Sequence, residues 1–261
     1  MSHRAETTVV THSPFLAPIE ALNPMSAELS SGEAPVARRR AERRQAILEA
    51  AARLFATSGY AGCEMERLAT ELGIAKGTLY LYFPAKQELF FACVDWGMSQ
   101  MQRTVRAAAE RETDPFRRIA CAIRAYLAFF EEHPEYVELL IQERAIFKDR
   151  KRPTYFEYRK VNLGYWHDQY RALIAAGRLR SDLPVERISD TMGSLVYGTM
   201  FTNHFVGRSV PLDEQSAVLL EIVFRGLMSE DERRLVPLLS GIGPQAESTA
   251  PPGDIHRVDP S

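Results

Sequence analysis

The chain has 261 residues, of which 46% are hydrophobic and 25% are charged, and its formal net charge is −2. This composition is typical of a globular protein with one large core or two smaller ones, and it argues against a disordered or fibrous chain. Because the whole molecule carries no excess of positive charge, any affinity for nucleic acid has to come from a local basic surface.

The sequence shows no sign of membrane insertion or of a disulfide framework. No apolar run approaches the roughly 18–20 residues needed to cross a bilayer, and the first residues lack the apolar core of a secretory signal. Cys63, Cys93 and Cys121 lie far apart and form no C-x-x-C pair. This pattern favours a reducing cytosol and gives no zinc motif. We therefore expect a cytoplasmic protein that binds no cofactor and no membrane.

Composition divides the chain into four segments. Residues 1–37 are rich in Ser, Ala, Pro and Thr and are predicted to be a disordered arm. Residues 38–90 contain short helical patterns separated by glycines, and residues 91–230 contain longer amphipathic patterns. Residues 231–261 are rich in Pro and polar residues and are predicted to be a largely disordered tail.

The second segment begins with an amphipathic helix. Ile47, Ala51 and Leu54 recur at three- and four-residue spacing, which places them on one helical face. The pattern predicts a helix over about 40–58. Gly59 follows, and a glycine suits the left-handed position beyond a helix end.

Two short helices follow, over about 64–72 and 75–82, with Gly73 between them. A fourth, long helix is predicted to begin near Ala85, after Pro84. Two short helices joined by a tight turn, with a supporting helix before them, are typical of a helix-turn-helix domain that binds DNA.

The motif in this segment resembles the DNA-binding domain of the TetR family of transcriptional regulators (TetR/AcrR-like). The family carries Gly-x-hydrophobic-x-x-Gly-Thr-hydrophobic-Tyr-x-Tyr/His-Phe followed by Lys, and the chain reads GIAKGTLYLYF at 73–83 followed by Lys86. The resemblance covers 38–90 without a gap. It implies an all-α, nine-helix architecture with an N-terminal helix-turn-helix domain and a C-terminal domain for ligand binding and dimerisation.

Several residues of the motif have chemistry suited to DNA. Lys76, at the start of the third helix, can reach guanine acceptors or phosphate, and Gly77 allows close approach of the helix. Hydroxyl groups suit phosphate oxygens, and an apolar side chain can contact bases. The remaining predicted contacts are Thr78, Tyr80, Leu81, Tyr82, Lys86 and Arg67.

The motif departs from the family at two positions. The family places Thr at the start of the second helix and Ser or Thr at the start of the third, where the hydroxyl caps the helix and touches phosphate. This chain has Cys63 and Ala75 there. We expect both contacts to be missing, and Arg67 to compensate.

A basic run precedes the first DNA-binding helix. The sequence ARRRAERR includes Arg38, Arg39 and Arg40, and residues 36–90 contain nine basic and six acidic residues. Such a run is often only solvated, but its position favours contact with phosphates or the minor groove.

Proline breaks predict the remaining helices. They are expected near 85–110, 115–131, 134–147, 153–177, 184–206 and 212–229. The resemblance implies that the last two form a four-helix bundle with their copies in a homodimer. Small residues such as Gly193 and Gly198 permit close helix approach, either across that interface or within the chain.

An effector pocket among the middle helices is implied by the resemblance. The candidate lining residues are Trp96, Tyr126, Phe130, Tyr165, Trp166, Tyr197 and Phe201. The alternative is that these aromatic residues are ordinary core. Their abundance suggests a hydrophobic or aromatic ligand and is compatible with a cationic group on it.

The sequence therefore predicts a homodimeric repressor that leaves a palindromic operator in double-stranded DNA when a small effector binds. An efflux or metabolism operon is the expected target. Two alternatives stay open: a non-regulatory, architectural DNA binder, and an enzyme. The enzyme has less support, since the sequence has no nucleophile elbow, phosphate loop or H-E-x-x-H motif.

Overall fold

A computed structural model of the protein describes residues 33–228 and 231. These residues form nine helices and no strand apart from an isolated bridge between Leu179 and Met228, which confirms the all-α prediction. The helices are α1 (Glu33–Gly62), α2 (Met65–Glu71), α3 (Lys76–Tyr82), α4 (Lys86–Glu110), α5 (Pro115–Glu132), α6 (Pro134–Ile146), α7 (Thr154–Ala175), α8 (Val185–Val206) and α9 (Leu212–Leu227). Within the described part of the chain, no helix combines the length and apolarity of a membrane span.

Prolines fix most helix starts where the sequence predicts them. α5 and α6 begin at Pro115 and Pro134, whereas α7, α8 and α9 begin directly after Pro153, Pro184 and Pro211. Proline suits a first helical turn because that turn needs no backbone N–H donor, and it disfavours helical geometry in the residue before it.

The start of α1 differs from the prediction. The helix begins at Glu33, so residues 33–37 of the predicted disordered arm are helical, and the basic run is part of a helix. Ala, Arg and Glu are strong helix formers, and Arg38 pairs with Glu42 one turn later at 3.5 Å. The rest of the predicted arm, and the predicted tail except residue 231, lie outside the described residues.

Gly59 breaks α1 near its end, as the sequence predicts. Its φ of 70° and ψ of 165° lie in a region that essentially only glycine adopts. The chain then makes one further helical turn to Gly62 before α2. The break redirects the chain from the supporting helix into the helix-turn-helix.

One core holds the first four helices together. Ile47 and Phe55 of α1, Leu68 of α2, Leu79 of α3 and Phe90 of α4 have no exposed surface. Because α4 contributes to this core, the N-terminal domain does not end where α3 ends.

The middle of α4 packs against α6 at short range. A Cβ on Gly97 of α4 would lie 2.2 Å from Cδ1 of Tyr136 in α6. The tyrosine ring therefore lies directly against the α4 backbone, and only glycine permits this approach.

We predict that Gly97→Ala lowers the free energy of unfolding by about 1–3 kcal/mol, because the new methyl group overpacks the contact with Tyr136. Chemical denaturation measures the change.

The matched control is Gly164→Ala in α7, where a Cβ meets no atom within 4 Å. This substitution should instead stabilise the protein by about 0.5–1 kcal/mol, since glycine weakens a helix interior. Equal stability of the Gly97→Ala variant and the native chain would contradict the close packing of α4 on α6.

Candidate nucleic-acid interface and effector cavity

Helix α3 presents a mixed polar and apolar face to solvent. Leu81 is 79% exposed and Tyr80 40% exposed, while Leu79 and Phe83 on the opposite side are buried. A Cβ on Gly77 would meet no atom of the described residues within 4 Å, so packing among them does not require this glycine. The outer face of α3 thus has the form of a surface that contacts a partner.

Lys76, at the start of α3, is paired with a carboxylate. Its Nζ donates to Oε2 of Glu66 in α2 at 3.0 Å, and both side chains are largely exposed. This hydrogen bond raises the pKa of Lys76 above its usual value. The pair positions the ammonium group but also offsets its charge, so DNA phosphates or bases have to compete with Glu66 for it.

Lys86 takes part in a contact within the domain. Its Nζ donates to the carbonyl oxygen of Ala61 at 3.0 Å and lies 4.9 Å from the ring centroid of Tyr60. The lysine therefore ties the start of α4 to the end of α1. Arg67 of α2 makes a longer contact, donating to Oγ of Ser58 at 3.4 Å.

The remaining predicted DNA contacts differ in exposure. Thr78 and Tyr82 of α3 are half-buried. The basic residues Arg38, Arg39 and Arg40 are exposed on the first turns of α1. Nothing in the free protein tests their contacts with DNA, which stay predictions.

Neither α2 nor α3 has a capping side chain, as the two departures from the family motif predict. The N-cap residues are Glu64 and Ala75, and neither side chain accepts a hydrogen bond from the helix. Cys63 lies just before the cap and is only 1% exposed. Burial raises the pKa of its thiol to about 11, despite the opposing charges of Lys86 and Arg67. The thiol is therefore protonated at neutral pH and unsuited to sensing oxidants.

A cavity of about 160 Å³ lies among α4, α5, α7 and α8. Three of the seven aromatic residues predicted from the sequence line it: Tyr126, Tyr165 and Trp166. Most of the wall is apolar and includes Met101, Val105, Ile119, Ile123, Leu163, Met192 and Val196.

The other four predicted residues do not line this cavity, which corrects the expectation. Trp96 lies beneath the guanidinium of Arg103, and Phe130 packs behind Tyr126 at a centroid distance of 4.9 Å. Tyr197 and Phe201 contact each other along α8 at 4.8 Å. Aromatic residues at helical spacing serve the core as readily as a cavity, so the sequence pattern does not separate the two.

The sequence prediction did not include the five polar, non-aromatic residues of the wall: Gln102, Arg106, Arg159, Asn162 and Ser189. For one of them, the sequence contains a feature that could have indicated its role. Gln102 interrupts the apolar stripe that Met98 and Val105 form on the buried face of α4, and it is itself buried. A glutamine in such a stripe marks a polar group that needs a partner.

The small residues of α8 have different neighbours. A Cβ on Gly193 would lie 2.7 Å from Cζ of Arg159, so this glycine makes room for a side chain of the same chain. Gly198 is exposed and has open space above it. Of the two alternatives left open by the sequence, packing within the chain applies to Gly193.

A hydrogen bond connects the cavity wall to α4. Tyr158 of α7 lines the cavity, and its hydroxyl donates to Oδ1 of Asp95 at 2.9 Å. Burial raises the pKa of both groups. A displacement of Tyr158 therefore acts directly on the helix that enters the helix-turn-helix core.

A second connection runs through the end of α6. Gln142 donates from Nε2 to the carbonyl oxygen of Phe55 at 2.9 Å, and the ring of Phe147 lies 4.7 Å from that of Phe91. Glu143, which is 1% exposed, accepts from Arg150 at 2.6 Å. The guanidinium of Arg150 in turn lies over Phe91 at 4.6 Å. These contacts hold the end of α6 and the segment after it against α1 and α4.

Comparison with known proteins agrees with this geometry. Residues 47–93 match the family model described as bacterial regulatory proteins, tetR family. This part of the chain therefore carries the DNA-binding domain of that family. The match covers the second part of α1, both helices of the motif and the start of α4, which are the elements that share the N-terminal core.

Individual relatives support the assignment. The chain is 31% identical to the HTH-type transcriptional activator FasR of Mycolicibacterium smegmatis over 103 residues, or 40% of this chain and 47% of FasR. It is 25% identical to the nucleoid occlusion factor SlmA of Vibrio atlanticus over 114 residues, or 43% of this chain and 58% of SlmA. The chain thus spans about half the length of these curated relatives. Neither is named as an enzyme, so the enzyme alternative gains no support.

A solved structure shows the same fold over a longer stretch. A TetR family transcription regulator from Marinobacter aquaeolei superposes with a TM-score of 0.59, covering 74% of this chain and 99% of that one at 16% identity. The helical fold implied by the family resemblance is therefore confirmed.

We predict that Glu66→Gln tightens binding to DNA by about threefold to tenfold at low salt, because it frees Lys76 and removes a negative charge beside it. The dependence of affinity on salt should also steepen. Fluorescence anisotropy with a labelled duplex measures both.

Glu71→Gln is the matched control, since it removes the same charge from the same helix without breaking the pair with Lys76. An equal gain from both substitutions would show that net charge, and not the pair, limits binding.

Proposed function

We propose that the protein is a homodimeric transcriptional repressor that binds a palindromic operator and leaves it when a small hydrophobic or aromatic effector enters the cavity. An efflux or metabolism operon is the proposed target. The observation that carries the proposal is that α4 takes part in both sites. Its first turns are buried in the helix-turn-helix core, and Met101, Gln102, Val105 and Arg106 of the same helix line the cavity.

The DNA-binding surface is assigned to the exposed side of α3 and to the basic groups around it. Leu81 and Tyr80 offer apolar contact to base edges in the major groove, and Lys76 offers a cation to guanine acceptors. The proposed positioning contacts to phosphate and sugar are Thr78, Tyr82, Lys86, Arg67, Arg38, Arg39 and Arg40, with Gly77 allowing close approach.

The dimer interface is assigned to the outer faces of α8 and α9. Large apolar side chains there are exposed in the single chain: Leu195 by 38%, Phe205 by 66%, Val206 by 79%, Val218 by 49% and Ile222 by 69%. An apolar surface of this kind on neighbouring helices is suited to burial against its own copy. A dimer also supplies the two recognition helices, about 34–36 Å apart, that a palindrome requires.

Release follows from the contacts of α4. An effector in the cavity displaces wall residues of α4 and α7, and the hydrogen bond between Tyr158 and Asp95 carries movement of α7 to α4. A tilt of α4 moves α3 and changes the separation of the two recognition helices. The effector shifts this equilibrium only by its difference in affinity for the two states.

The relatives favour one further candidate function. SlmA is named as a nucleoid occlusion factor, which corresponds to the non-regulatory DNA-binding alternative. FasR is named as an activator, so membership of the family does not by itself set the direction of control. The cavity beside α4 favours an effector-controlled repressor, because occupancy that disturbs the DNA-bound geometry weakens operator binding.

We predict that genome-wide mapping of binding sites recovers a palindrome that the purified native chain prefers over a shuffled sequence by about 4 kcal/mol or more. Leu81→Ala should reduce this preference by about 1–3 kcal/mol while leaving binding to the shuffled sequence unchanged, because Leu81 is assigned to base contact. Titrations with both duplexes measure the difference.

Ile222→Lys tests the role of the dimer in the same assay. It should produce a monomer in sedimentation and remove the advantage of the full palindrome over a half-site. Val161→Lys, at a residue of α7 that is 50% exposed, is the control and should change neither. Equal affinity of the native chain for mapped and shuffled DNA would support the architectural alternative.

A further inference from the structure

Two polar groups of the cavity wall have no partner. Nε2 of Gln102 and the hydroxyl of Tyr165 are buried and make no hydrogen bond within the part of the chain that the structure describes. Gln102 is only 8% exposed. Buried polar groups are nearly always hydrogen-bonded in folded proteins. Two unpaired polar groups in the wall of one cavity therefore point to a ligand that hydrogen-bonds to them.

Other polar groups of the wall are satisfied by the protein itself. The hydroxyl of Tyr126 donates to that of Tyr155 at 3.1 Å, and the hydroxyl of Tyr158 donates to Asp95. Asn162 donates from Nδ2 to the carbonyl oxygen of Tyr158 at 2.9 Å. Within the wall, the buried side-chain atoms without a partner are thus those of Gln102 and Tyr165. The other such atom among the described residues, Oε1 of Gln142, lies outside the cavity.

Arg106 links these two residues of the wall. Gln102 and Arg106 are four residues apart on α4 and share a face, and the guanidinium of Arg106 lies 3.5 Å from the ring centroid of Tyr165. An amide N–H₂ only donates, and a phenol can donate as well. Together they suit one acceptor atom with two lone pairs, such as a carbonyl or carboxylate oxygen.

The charges around the cavity argue against a cationic ligand. Arg106 and Arg159 line the wall, and among the described residues no Asp or Glu does. Each arginine is partly offset by a carboxylate outside the wall, since Arg159 pairs with Asp190 at 3.0 Å and Arg106 with Glu110 at 3.5 Å. The charged groups in the wall itself are therefore all positive, which favours a neutral or anionic acceptor.

The volume sets the scale for the part of a ligand that the cavity can enclose. An engineered apolar cavity of about 150 Å³ in another protein holds benzene, and the cavity here measures about 160 Å³. We propose that the effector is a compound of about one ring, or an equally short chain, that carries a carbonyl or carboxylate oxygen accepting hydrogen bonds from Gln102 and Tyr165. This inference rests on the proposed role of the cavity as the effector site.

Calorimetric titration of the full chain with four probes of similar size tests the proposal. Acetophenone and benzoate carry an acceptor, ethylbenzene lacks one, and benzylammonium carries a positive charge. We expect acetophenone to bind about tenfold or more tightly than ethylbenzene, and benzylammonium to bind more weakly than either. If benzoate binds more tightly than acetophenone, the acceptor is a carboxylate; the reverse order identifies a neutral carbonyl.

Substitutions test whether Gln102 and Tyr165 cause the preference for acetophenone over ethylbenzene. Gln102→Met and Tyr165→Phe should each reduce the preference for acetophenone over ethylbenzene, and together they should bring it within about twofold. Gln169→Met is the control, because Gln169 is equally buried, lies outside the wall and is paired with Arg118. Thermal unfolding confirms that each variant is folded.

The outcomes separate this inference from the proposed function. Equal binding of acetophenone and ethylbenzene by the native chain, tightest binding of benzylammonium, or a preference that survives the double substitution would overturn the acceptor assignment. If acetophenone binds as expected but operator affinity at saturation is unchanged, the acceptor site stands and effector control by such ligands is rejected.

Discussion

The structure depends on one helix that belongs to two cores. α4 is 25 residues long, which corresponds to about 37 Å. Its first turns carry Leu89 and Phe90 into the helix-turn-helix core, and its later turns form one wall of the cavity. Because a helix transmits a displacement along its axis without bending at each residue, the two regions do not move independently.

Contacts on several sides hold α4 in place. Lys86 ties its start to the end of α1, Gly97 lets Tyr136 of α6 pack on its backbone, and Asp95 accepts from Tyr158 of α7. The buried Glu143 organises the segment after α6, from which Arg150 reaches Phe91. Removing one partner of a buried ion pair is strongly destabilising. The segment after α6 therefore has little freedom to separate from α4.

The sequence predicted the helix-turn-helix and the order of the nine helices in the described part of the chain, because glycines and prolines interrupt strong apolar periodicity at almost every boundary. It placed the start of α1 too late, since composition alone made residues 33–37 resemble a flexible arm. The DNA-binding face of α3 was predicted from the local motif. The exposure of Leu81 opposite the buried Leu79 agrees with that prediction.

The cavity could be predicted only in part. Tyr126, Tyr165 and Trp166 reach it, whereas Trp96 and Tyr197 do not, because side chains from four helices form the wall and helical spacing does not reveal which interhelical space a residue faces. The polar groups were harder still to predict. The significance of Gln102 depends on its lack of a partner, which only the three-dimensional arrangement shows.

The central claim is that the cavity and the recognition helix are coupled through α4. The most direct measurement is the ratio of operator affinities without and with saturating acetophenone, in the native chain and in Tyr158→Phe. This substitution keeps the ring in the cavity wall and removes the hydrogen bond to Asp95. We expect a ratio well above one for the native chain and a clearly smaller ratio for the variant, with acetophenone affinity within about threefold. An unchanged ratio in a variant that still binds acetophenone would contradict coupling by this route.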